Sequence, residues 1–163
     1  MFTALIKVKI QMRKYFIFLL VFAFSMQTKA QIDTQKRFQS DTRKYYVWNF
    51  VANSYELKET EYEHSIIDIR EIGSKTNGYI VITMNDNGLA RLHHGSITGF
   101  SQDNQNEGTW YFRSKFIKAK LTYNPKENTM TYLYEANDTR YNKLIVFNVA
   151  PDADVIASVK KIE

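Results

Sequence analysis

Apolar and polar residues alternate with a period of two through much of the second half of the chain. Ile117, Ala119, Leu121 and Tyr123 are interleaved with Lys118, Lys120, Thr122 and Asn124. That is the pattern of a strand with one face buried and the other in water. The cluster Asn124-Pro125-Lys126-Glu127-Asn128 reads as a hairpin turn, and residues 129–135 form its return strand. A second turn over 136–140 leads into 141–149, where Ile145, Phe147 and Val149 share one face.

Upstream, the same reasoning predicts further strands. Residues 45–51 (Tyr-Tyr-Val-Trp-Asn-Phe-Val) are apolar on both faces, which predicts a buried strand with Trp48 as a core anchor. Residues 64–72 carry Ile66, Ile67, Ile69 and Ile72, and 79–84 is another apolar run. Between 79–84 and its antiparallel return, 89–94, lies Asn85-Asp86-Asn87-Gly88. It is the clearest hairpin signal in the chain, because Asn-Gly supplies the positive φ angles of tight turns. A further short strand is expected over 95–100, then a polar, mobile loop over 101–108. Trp110 and Phe112 share a face on the strand that follows. The glutamates of 55–63 predict a solvated edge or loop, and 154–163 fits either a short helix or a last edge strand. The expected fold is all-β: an antiparallel meander of about eight short strands, with at most one short helix, forming a small barrel or sandwich.

The first thirty residues change the domain picture. Residues 15–24 form an apolar block preceded by Arg13 and Lys14 and followed by Thr28-Lys29-Ala30. This is the three-part layout of a secretory signal, too short for the ~20 apolar residues of a spanning helix. The expected organisation is a cleaved signal over 1–30, starting at Met1 or Met12, a flexible lead-in over 31–44, and a single β-rich domain over 45–163. The expected location is exported, periplasmic or extracellular. Five of the 22 basic residues and none of the 17 acidic ones precede Gln31, leaving seventeen of each sign. The basic balance therefore belongs to the export signal, and no field for nucleic acid or anionic membrane remains. The chain has no cysteine, so a hydrophobic core without disulfides is expected to hold it together.

Catalytic signatures do not emerge. Neighbouring His93 and His94 point to opposite faces of a strand and cannot easily share one metal, so a zinc site would need His64 plus one of them and a carboxylate brought together by folding. Residues 85–88 and 103–108 touch the calcium-loop pattern but lack its closing carboxylate. No Gly-x-Ser-x-Gly elbow or phosphate-binding glycine loop is present. No catalytic residue, metal ligand or cofactor is assigned. What remains is the aromatic content: ten Tyr, six Phe and two Trp after Ala30. Trp48, Trp110, Tyr123, Tyr132 and Tyr134 are the candidate ligand-contacting residues, filling a core or lining a pocket.

Gly108-Thr109-Trp110 resembles the Gly-x-Trp of lipocalins, and the meander fits a calycin-like barrel. In lipocalins that motif sits on the first strand, whereas here it lies past the middle of the chain, so the resemblance implies barrel shape and no binding residues. The expected function is an exported, non-catalytic β-domain that binds a protein or envelope component. The alternatives are a lipocalin-like carrier of a small apolar ligand and, last, a secreted hydrolase.

Overall fold

The computed structural model describes residues 33–103, 107–115, 117–137 and 140–151. These residues are all-β, with no helix. Their strands are β1 (Asp33–Ser40), β2 (Arg43–Asn49), β3 (Ser54–Glu61), β4 (Ser65–Ile72), β5 (Gly78–Asp86), β6 (Leu89–Gln102), β7 (Gly108–Arg113), β8 (Lys118–Asn124), β9 (Thr129–Asn137), β10 (Arg140–Asn148) and the two-residue β11 (Ala150–Pro151). They form one sheet of order β11-β1-β4-β5-β6-β7-β8-β9-β10-β2-β3. Every pairing is antiparallel.

The chain joins the two ends of that order. β3 runs into β4 through residues 62–64, and β10 runs into β11 through Val149. Both joins flank the corner at Asp41–Thr42 between β1 and β2, where the Asn148 N–H donates to the Thr42 carbonyl at 3.2 Å. The sheet therefore curls back on itself in a barrel-like wrap, as the alternating pattern predicts. Its concave side holds the core: Ile67, Ile69, Ile80, Ile82, Leu121, Met130, Tyr132 and Phe147 are fully buried. These residues recur at every second position of their strands, because successive side chains of a strand point to opposite faces.

Local chemistry fixes the register. At the β5–β6 hairpin, Asn87 (φ 52°) and Gly88 (φ 79°) both take positive φ, and Asp86 pairs with Leu89, the tight turn that Asn-Gly predicts. At the β8–β9 turn, the Asn124 side-chain oxygen accepts from the N–H groups of Lys126 (3.0 Å) and Glu127 (3.2 Å). Gly78 (φ 136°) opens β5 where a Cβ would come within 1.9 Å of the Arg70 carbonyl oxygen.

Several expectations need correcting. The flexible lead-in over 31–44 gives way to strands: Asp33–Ser40 is β1, and β2 begins at Arg43. Polar residues hold it in the sheet, since Arg37 pairs with Asp68 (2.7 Å) and Arg70 with Asp33 (2.6 Å) across β1 and β4. The separate strands expected over 89–94 and 95–100 are one fourteen-residue strand, β6, with a register shift between Ile97 and Gly99. Trp48, expected as a core anchor, is only half-buried. The 55–63 glutamates lie on strand β3 and just beyond it. The signal segment and the 154–163 segment lie outside the described residues.

Candidate binding surface

The five aromatic candidates divide between the two faces of the sheet. Trp110, Tyr132 and Tyr134 lie within the core. Tyr132 and Tyr134 stack at 4.7 Å between ring centroids, and Phe112 stacks on Tyr132 at 5.8 Å. Tyr123 is half-buried with its ring 4.9 Å from that of Phe38. Trp48 stands apart from these four on β2. It packs edge-on against Tyr55 at 4.9 Å, with the Arg140 guanidinium 5.7 Å from its ring.

Several polar groups inside the wrap pair with one another. At one end, the Glu71 carboxylate accepts from Trp110 Nε1 (3.0 Å), Thr34 Oγ1 (2.9 Å) and Lys36 Nζ (3.4 Å). Burial raises the Glu71 pKa, but these donors outweigh it and hold the group below its ordinary value. In the middle, His93 Nδ1 lies 2.9 Å from the Tyr132 hydroxyl, and the Tyr134 hydroxyl donates to that of Tyr45 at 3.3 Å. Burial raises both inner phenols well above the usual range, so they stay protonated and Tyr132 can donate to His93. Burial, with Arg91 nearby, lowers the His93 pKa, which keeps the ring neutral and able to accept. His94, next in sequence, lines a groove on the other face. That is the opposition expected of neighbouring residues on a strand.

At the other end, Arg43 is 3 % exposed and donates to Glu61, to the Asn85 carbonyl and to Ser65 Oγ (2.9 Å). With Tyr45, Glu59, Asp86 and Arg91 it rims a polar hollow of about 260 Å³, whose Arg91 and Asp86 pair with each other. The hollow's charges are thus largely spent on internal pairs, and an apolar molecule would have to displace water from them at a cost. Among the described residues no group of three or more His, Asp or Glu side chains is placed to hold a metal ion.

The convex face carries a feature that strand-by-strand reading misses. Register places Tyr111 opposite Lys120, Lys120 opposite Leu133, Leu133 opposite Leu144, Leu144 opposite Tyr46, and Tyr46 opposite Leu57. These six residues form one row across β7, β8, β9, β10, β2 and β3. All point away from the core, since the residues next to them in sequence (Phe112, Ala119, Tyr132, Ile145) are buried. Tyr111 is 41 % and Leu57 52 % exposed. Five adjacent strand spacings make the row about 24 Å wide. On a solvated sheet face such positions are usually polar. Comparison with protein-family models, with curated proteins and with solved structures finds no match to this chain.

Proposed function

We propose that this chain is an exported, non-catalytic binding module that meets a protein or another envelope component with the convex face of its sheet. The observation that carries this reading is the Tyr111–Leu57 row: an apolar and aromatic stripe on the outside of a sheet whose inside is occupied by its own side chains. Tyrosine and leucine interrupted by a single lysine, Lys120, give a contact surface that is mainly apolar and aromatic with one charge, a mixed composition found at reversible protein interfaces. The packed interior, with Trp110, Tyr132 and Phe147 all at 3 % exposure or less, weighs against the carrier alternative. The export component of the reading rests on residues 13–30 of the sequence.

The test has two arms. Native mass spectrometry of the chain purified from its own host should show no uncharged apolar ligand. An uncharged apolar molecule released on denaturation would overturn the reading in favour of a carrier. Affinity capture from envelope extract should yield a partner that is lost with the double variant Leu133→Asp, Leu144→Asp, whose near-ultraviolet circular dichroism must match the wild type. A partner retained by that folded variant would remove the row from the interface.

A further inference from the structure

On the convex face of β5 and β6, beside the turn from β7 to β8, lies a groove of about 500 Å³. Its origin is visible in the register. Tyr79 pairs with Ser96, and Ser96 pairs with Arg113, so a small residue stands between two large ones in a row across three strands. Two strand spacings separate Tyr79 from Arg113 by about 10 Å at the backbone, and the serine leaves the space between them open. The neighbouring row, Val81 and His94, continues the floor, and Leu92 extends it toward the β5–β6 hairpin.

The groove is apolar along one side and cationic along the other. Tyr79 is 39 % and Leu92 56 % exposed, so its apolar floor is open to water. Arg113 and Lys115 form the opposite wall, and none of the residues lining the groove is acidic. Arg113 takes part in none of the ion pairs among the described residues. Arg70, which donates to the Tyr79 hydroxyl at 3.3 Å, braces that ring at the groove's far end. An exposed arginine facing an open apolar floor is complementary to one kind of molecule: an anionic head on an apolar body.

We propose that this groove binds a free amphiphilic carboxylate, its head paired with Arg113 and its body lying along Val81, Leu92 and Tyr79. A guanidinium matches a carboxylate with two parallel N–H···O bonds. The groove's volume falls within the ~300–1,000 Å³ of small-molecule sites, enough for a chain of medium length and too little for a folded partner. Two cations fall short of the 4–8 clustered lysines and arginines that hold a protein to anionic lipid, which favours the free molecule over a membrane surface. The proposal is independent of the Tyr111–Leu57 row and stands or falls without it.

The experiment is isothermal titration of the whole chain with octanoate, and with octanamide as the uncharged probe of the same length. Octanoate should bind saturably, one per chain, and octanamide about tenfold more weakly or worse. Arg113→Gln should lower octanoate affinity by about tenfold, as should Val81→Glu, which places a carboxylate on the floor. Lys58→Gln, which removes the same charge from β3, should leave it unchanged. Absence of saturable binding, equal affinity for the two probes, or binding indifferent to Arg113→Gln would each overturn the proposal. So would binding to vesicles of anionic phospholipid by a chain that ignores octanoate.

Discussion

His93 shows how much one side chain's surroundings decide. Its ring sits edge-on to Tyr132 and Tyr134 at 5.6 and 5.1 Å, and burial lowers its pKa below the ordinary 6.5. The native state therefore disfavours the proton that the unfolded state accepts. By linkage, stability is full above the unfolded value and falls as pH drops through 6.5 toward the lowered native pKa. Urea unfolding should give a lower midpoint at pH 5.5 than at pH 7.5, and His93→Gln should flatten that difference. An unchanged pH dependence in the variant would assign the effect elsewhere. Glu71 and Asp33, both lowered, are carboxylates whose stabilising pairs are lost only at more acidic pH, so the two effects separate along the pH axis.

At the scale of the strand, what the sequence conceals is which face is which. β1 escapes a hydrophobic-pattern reading because its inward positions are Thr34, Lys36, Phe38 and Ser40, only one of them apolar. Glu71 makes them acceptable inside by taking the hydroxyl of Thr34 and the ammonium of Lys36. β2 misleads in the opposite way: apolar residues on both faces suggest full burial, yet Tyr46 belongs to the exposed-face row and Trp48 is half-buried beside it. The hairpins, by contrast, were legible, because Asn87-Gly88 and Asn124 act through local backbone chemistry that needs no tertiary context. The groove was not, since it depends on Ser96 falling between Tyr79 and Arg113, a matter of register across three strands. Gly78 tests the same local logic. With φ at 136° and the Arg70 carbonyl in the way, Gly78→Ala should destabilise by about 2 kcal/mol or more, read as a lower urea midpoint. A neutral result would mean that the β4–β5 turn can shift to make room.

For the molecule as a whole, the corner at Asp41–Thr42 is where distant parts of the sheet meet. Arg43 sits there and bonds to Glu61, Ser65 and the carbonyl of Asn85, linking β2 to β3, β4 and β5. Replacing it by alanine leaves the Glu61 carboxylate and the Asn85 carbonyl without that donor. Loss of one partner from a buried ion pair costs about 3–5 kcal/mol. Glu61 is 25 % exposed at its side chain, so the lower end of that range is expected for Arg43→Ala in equilibrium unfolding. Arg43→Lys should recover only part, because an ammonium cannot span the same fork of acceptors. Full stability in the alanine variant would show that the wrap is held by its apolar core alone.

That corner also sets an order of events. Arg43 pairs with Phe147, and Gln39 with Ala150, partners more than a hundred positions apart along the chain. A nascent polypeptide can zip β4 through β9 as successive hairpins, yet β1 and β2 find their second neighbour only after β10 has been made. Contacts so remote in sequence carry a large loop-closure entropy and slow the search for the native state. Until the last strands emerge from the ribosome, the chain stays open and threadable.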